Sequence, residues 1–300
     1  SASWVQADDP PLMLAMEEQG EVAIRVARSG QVSFFNARDG KAVLQQQLPI
    51  PAGAQVTSFN VETPNSRRFV VGLSNGQVLI AQHDYKVTYP DDVRLITPSL
   101  NFPYGQEAIT LDEQGRALDQ VAMSSDSNGL TLAGSIGSDL VATSVSIKRN
   151  MMTGAETRSE SRLALDPAQG EVTRILIDPL RQWMYVVNGE QHIDVLALRK
   201  KGELNGRYKV VEGMGTSITS VNLMLGGISL IVGDSSGELK QWFMVRGNGH
   251  PLLTEVRDFD QQQGESIALI QPEERRKVFL AVDTAGQLGI YNSTAHNNLL

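Results

Sequence analysis

The chain has 300 residues, 41% hydrophobic and 20% charged, a balance that fits a folded globular protein with ample core and excludes a disordered one. Its 34 acidic against 26 basic side chains leave a net charge of −8, which excludes the dense cationic surface of a phosphate-backbone binder, so no nucleic-acid partner is expected. Cysteine is absent, which removes disulfide frameworks, thiolate zinc sites and cysteine nucleophiles, and no apolar run approaches the roughly 20 residues of a transmembrane helix.

In chain order, the first unit places strands at 12–16, 21–27, 31–36 and 42–48, with Ser29-Gly30 and Arg38-Asp39-Gly40 as turns. Such pairs between alternating apolar runs are hairpin signals, because glycine takes the positive φ that tight hairpin turns require. A second unit gives strands at 56–61, 69–73 and 77–82, and residues 86–89 and 93–97 pair across Pro90-Asp91-Asp92. Between Pro98 and Gly115 the density of Pro and Gly predicts a crossing loop between units, the least regular part of the chain. The third unit has strands at 118–123, 130–133, 140–147 and 156–165, with Gly134 to Gly137 as the turn before its third strand. In 156–165, Glu156, Arg158, Glu160 and Arg162 alternate with small or apolar residues, which suits an exposed outer edge where charge discourages pairing with another sheet.

Three further copies begin at Val172, Ile218 and Ser266, with third strands ending at Leu198, Met244 and Tyr291 and fourth strands at 207–211, 252–259 and 296–300. Turn glycines at 30, 76, 137, 189, 237 and 286 recur at intervals of 46, 61, 52, 48 and 49 residues. Repetition of this length marks a repeat architecture. No helical apolar stripe is present, whereas period-two runs of Val, Ile, Leu and Thr are everywhere. The expectation is an all-β chain: one β-propeller domain over residues 1–300, built of WD40-like four-stranded antiparallel blades. Six blades are favoured, and seven are possible if residues 86–112 hide another.

Candidate chemistry is sparse. His83, His192, His250 and His296 form no metal-ligand spacing, and each is expected beside a turn or strand end. No G-x-S-x-G elbow occurs. Gly213-Met214-Gly215 precedes a strand, which defeats a dinucleotide reading. Asp234-Ser235-Ser236-Gly237 and Asp283-Thr284-Ala285-Gly286 lack the further spaced acids of a calcium loop and read as turns. Glu17-Glu18, Asp91-Asp92 and Glu273-Glu274 point apart along the chain instead of converging for acid–base work. The basic runs Arg199-Lys200-Lys201 and Arg275-Arg276-Lys277 fall in predicted turns. Trp4, Trp183 and Trp242 do not recur at one blade position, which disfavours a quinone-dependent dehydrogenase. No catalytic residue, cofactor or metal ligand is assigned.

Three stretches carry a family resemblance: DDPPLMLAMEEQGEVAIRVARSGQVSFFNARDG, YGQEAITLDEQGRALDQVA and VDTAGQLGIYNSTAHNNLL. They resemble the large soluble insert of the long-form bacterial phosphate ABC transporter permease, the PstC-like subunit. The resemblance implies a non-catalytic domain on the periplasmic side of the bacterial inner membrane, tethered to transmembrane helices outside this chain. It implies protein partners, either other transporter subunits or the phosphate-binding protein. No phosphate site is read in these residues, and the acidic net charge repels a free anion at long range. The alternatives are a free-standing envelope scaffold similar to the lipoprotein of the outer-membrane barrel assembly machinery, and a propeller enzyme with a central metal. Irregular loops on a rigid repeat scaffold carry binding, so residues 86–115 are the expected partner contact.

Overall fold

A computed structural model describes residues 9–63, 67–149, 152–247, 249–259, 264–273 and 276–294. Trp4, Pro64, Glu274, Arg275 and His296, and the strand expected at 296–300, lie outside them. Packing divides the chain into two compact units, one within residues 1–61 and 67–118 and the other within 62–66 and 119–300.

In unit 1 the first sheet is a meander of β1 (Pro11–Met16), β2 (Val22–Ala27), β3 (Gln31–Asn36) and β4 (Ala42–Gln47). The second runs β5 (Val56–Val61), β6 (Arg68–Leu73), β7 (Gln77–Thr88) and β8 (Leu95–Asn101), with the short β9 (Ile109–Thr110) paired to the start of β7. Unit 2 continues with β10 (Gln120–Asp126), β11 (Gly129–Ile136), β12 (Asp139–Arg149) and β13 (Glu156–Leu163). Its next sheet is β14 (Val172–Ile177), β15 (Trp183–Asn188), β16 (His192–Ala197) and β17 (Glu203–Lys209). Then come β18 (Ile218–Leu223), β19 (Ser229–Asp234), β20 (Leu239–Arg246) and β21 (Pro251–Phe259). The last described sheet is β22 (Ile267–Pro272), β23 (Val278–Asp283) and β24 (Leu288–Asn292). The chain is all-β, and these antiparallel meanders are the blades of a six-bladed β-propeller. Residues 86–112 add strands to the second blade and do not form a seventh.

Middle strands such as β6, β11, β15 and β19 are buried almost without alternation because both of their faces are covered. On β14, Ile175 and Ile177 pack with Ala122, Ala133 and Ala142 of the third sheet. Leu176, between them, packs with Val221 and Leu223 of the fifth. Phe259, Phe279 and Tyr291 fill the layer between the fifth and sixth sheets, with ring centroids 5.1–5.7 Å apart. Unit 1 has its own layer around Phe34, Phe69, Ile24 and Val71. The outer strand β4 is largely exposed and β17 has no buried residue, as the charge pattern of 156–165 predicts for an outer edge.

The structure revises four boundaries. The loop expected from Pro98 is strand: Pro98 sits in β8 opposite Tyr85, tolerated because β8 bonds only to β7 and needs no donor on its far side. Residues 134–136 belong to β11, where Gly134 pairs with both Val121 and Val141, so pairing on two sides overrides glycine's weak strand propensity. The fourth blade's outer strand is β17, not 207–211, because Val210 and Val211 leave the edge and bury in the core. Leu198 likewise leaves β16 and opens a short 3-10 turn.

One regularity is absent from the sequence reading. The first strands β1, β5, β14, β18 and β22 each skip one residue against their partners, while β10 does not. The skipped residues are Leu12, Thr57, Thr173, Thr219 and Ala268. A bulge at this place increases the local twist. At two of the bulges the threonine hydroxyl caps a carbonyl of the paired strand: Thr173 donates to Val187 at 3.5 Å and Thr219 to Gly233 at 3.3 Å.

Candidate interaction surface

The third strands of the other unit 1 blade and of the fourth blade, β3 and β16, are six residues long, whereas β7 has twelve. Its ladder to β6 ends at Gln82, and beyond that β7 pairs with β8 alone, from His83↔Leu100 to Thr88↔Leu95. The base of this ribbon is anchored. Ile96 and Leu100 bury in the unit 1 core, and Tyr85 meets the Phe34 ring edge-on at 6.2 Å. Burial, reinforced by the nearby Glu17 carboxylate, pushes the Tyr85 hydroxyl up to about 12.

The tip is different in kind. Val87, Tyr89, Val93 and Leu95 are 42, 64, 65 and 51% exposed, so large apolar side chains stand in water at one hairpin end, Val87 on the face it shares with Ile96 and Leu95 on the opposite one. A single exposed apolar residue needs no account, but four at one hairpin tip offer a partner apolar surface on both faces of the ribbon. The turn that carries them is Pro90–Asp92, in which Asp91 and Asp92 hold positive φ of 51° and 61°. Left-handed backbone costs a non-glycine residue about 1–2 kcal/mol, least for Asp, whose short polar side chain bonds locally. An ion pair at 2.9 Å from Arg94 to Glu21 fastens the tip to the β1–β2 turn. Exposed Met16 lies at the edge of that turn, with its sulfur over Gly20.

Of the residues considered for chemistry, His83 departs from expectation: it is buried within β7, its ring 5.5 Å from Tyr85, because the strand runs on past the predicted end at 82. His192 opens β16, and His250 is exposed in the β20–β21 turn. Met214 is fully exposed between its glycines, ahead of β18. Asp234 accepts from the Ser236 and Glu238 amides at 2.8 and 3.0 Å, and Asp283 from that of Gln287 at 2.7 Å, which is the turn chemistry expected of them. Lys201, with φ of 61°, closes the turn holding Arg199 and Lys200. Among the described residues no three His, Asp or Glu side chains converge as a metal site.

One buried titratable group has a measurable consequence. Asp194 accepts a hydrogen bond from the Asn188 amide and has Arg207 at 3.9 Å. Burial outweighs both and holds its carboxyl above the ordinary range. The native state therefore binds this proton more readily than the unfolded chain, and the contribution of Asp194 to stability falls as pH rises from the ordinary carboxylate value through the raised one. Asp194→Asn is expected to gain stability relative to the parent between about pH 4 and about pH 7, measured by denaturant unfolding at both. A difference that is flat with pH would refute the assignment.

No protein-family model matches the chain, and no curated protein does. Solved structures do. The β-propeller domain of Myceliophteria thermophila Cps50 (Swd1) superposes with a TM-score of 0.57 at 11% identity, over 97% of this chain and 85% of that one. The Dos1 propeller does so with a TM-score of 0.58 at 12% identity, over 95% and 68%. At these identities the likeness is one of fold, and that fold is the β-propeller.

Proposed function

We propose that the chain is a non-catalytic interaction domain that docks a protein partner through the tip of the β7–β8 hairpin. The observation that carries this reading is the exposure of Val87, Tyr89, Val93 and Leu95 on the two faces of a hairpin tip, around a strained turn at the end of an anchored ribbon. A rigid base with an apolar tip loses little entropy on binding, which is how preorganised loops gain affinity. The resemblance to the PstC-like permease insert supplies the setting: the periplasmic side of the bacterial inner membrane, tethered to transmembrane helices outside these residues. Its partner there is the phosphate-binding protein or another transporter subunit, and its contribution to phosphate import is docking.

The test uses the full-length protein in its native membrane, with a photo-crosslinking residue in place of Tyr89. The expected product is an adduct with the phosphate-binding protein or a transporter subunit. Adducts that form only from a distant exposed site such as Met214, or association that survives deletion of residues 86–94, would end the proposal. A companion variant, Tyr89→Ser with Val93→Ser, is expected to weaken the association at least about tenfold while changing stability by no more than about 0.5 kcal/mol, since both side chains leave the core untouched.

A further inference from the structure

Arg174 is a charged residue in the interior of a first strand, where the described blades otherwise keep none. In the described first strands β1, β5, β10, β14, β18 and β22, the charged residues are Arg174 and Asp126. Asp126 is paired, with Arg181 at 2.6 Å. Arg174 follows the β14 bulge, opposite Val187, and shares the strand face of Leu176, which is turned toward β18. Among the described residues no carboxylate lies within ion-pair range of it, and its buried Nε has no acceptor. Burial alone holds its pKa below the usual guanidinium value. The residue is nevertheless not sealed, since part of it reaches solvent.

A desolvated cation without a counter-charge is among the costliest arrangements a folded chain can hold, and an apolar side chain of similar volume would serve packing better. Thr173, next to it in β14, and Ser220, which follows the β18 bulge as Arg174 follows that of β14, spend their hydroxyls within the fold, the first donating to the Val187 carbonyl and the second accepting from the Ile270 amide. What remains unsatisfied is the Nε–H of the guanidinium. Its planar fork of donors matches two oxygens of one anion, a match that chloride does not offer.

We propose that Arg174 anchors a site for a small free oxyanion of the carboxylate, sulfate or phosphate type, on the side of β14 that faces β18. The site is independent of the hairpin and of the docking function assigned to it. One forked cation, reached against the field of a chain with net charge −8, gives weak binding, with Kd on the order of millimolar.

The experiment is thermal unfolding of the protein at constant ionic strength, with sodium chloride replaced stepwise by sodium acetate, sulfate or inorganic phosphate. The parent is expected to show, with at least one oxyanion, a rise in Tm that is steepest at low concentration and becomes logarithmic above a Kd on the order of millimolar. Sulfate and phosphate also stabilise folded proteins by exclusion from their surface, but that effect grows in proportion to concentration and is shared by Arg174→Met. Loss of the logarithmic component in R174M supports the site. An identical logarithmic component in R174M, or none in the parent with any of the three anions, overturns it. Should R174M fail to fold, Arg174→Lys decides: a charge without the fork is expected to raise the fitted Kd about tenfold, and an unchanged titration overturns the proposal.

Discussion

Gly76→Ala is expected to destabilise unit 1 by about 2–4 kcal/mol, while Gly286→Ala, at the same turn of the sixth blade, costs only about 1 kcal/mol. Both glycines hold positive φ, 76° and 83°, so the backbone penalty is common to the two. Their surroundings separate them. A Cβ on Gly76 would stand 2.7 Å from the Asp112 carbonyl oxygen and 3.1 Å from the Gly115 Cα, whereas one on Gly286 would meet nothing within 4 Å. The Gly76 carbonyl also accepts from the amides of Leu111 and Asp112, both at 2.9 Å, so the turn docks the segment that leaves the second blade. That segment is held further by Asp112, whose carboxylate takes the Arg116 amide at 2.8 Å and its guanidinium at 3.1 Å, which keeps the Asp112 carboxyl below its ordinary range. A methyl group at 76 forces the backbone of 112–115 away and breaks these bonds together. Denaturant unfolding of the two variants measures the difference, and amide exchange at residues 111, 112 and 118 localises it. Equal losses at both glycines would show that the close approach contributes nothing.

The blade plan was legible because its two signals are local: glycine at a tight turn and apolar residues at period two. All six spaced glycines do hold positive φ, the strands at 31–36 and 56–61 keep their predicted bounds, and β14 and β18 begin at Val172 and Ile218, where the fourth and fifth copies are expected to start. The first-strand bulges were not legible. A skipped residue shows in sequence only as one break in alternation, and runs as short as VTSFNV and VTRILI hold too few alternating apolar residues for one break to stand out. The stretch 86–115 was singled out for the wrong architectural reason, since much of it is ladder and not loop. Yet the exposed tip lies inside it, and a signal was present: Val87, Tyr89, Val93 and Leu95 alternate on either side of Pro90-Asp91-Asp92 with no later segment to cover them. Arg174 could also have been found, by setting the six first strands beneath one another and asking which carries a charge in its interior. Its lack of a partner could not, because pairing across blades is set by packing that no local pattern encodes.

Asp178→Ala is expected to cost unit 2 about 2–4 kcal/mol, and the pH dependence of that loss has a definite sign. Asp178 closes the β14–β15 turn. One carboxylate oxygen accepts from the Gln182 and Trp183 amides, both at 2.6 Å, and the other from that of Leu180 at 3.1 Å. Its own backbone carbonyl accepts from Arg181 at 2.9 Å and from the Ser124 hydroxyl of the third sheet at 3.0 Å. The turn holds Arg181 at a φ of 52°, from which its guanidinium reaches Asp126. Alanine leaves three amides without their acceptor and removes what fixes the strained residue. The loss is moderated because the carboxylate is itself buried: desolvation outweighs the three amide bonds and raises its pKa above the ordinary value. A raised carboxyl contributes most to stability when protonated, and that contribution declines as pH climbs through the raised native value. The deficit of D178A is therefore greatest in acid and narrows toward neutrality, the reverse of an ordinary salt-bridged aspartate. Asp178→Asn, which keeps one acceptor oxygen for the Gln182 and Trp183 amides but turns a donor toward Leu180, is expected to recover about half of the loss and to show the same pH dependence relative to the parent, since neither variant titrates at this position. A D178A deficit that grows with pH, or one below about 0.5 kcal/mol, would mean that the turn is held by its backbone bonds and not by this side chain.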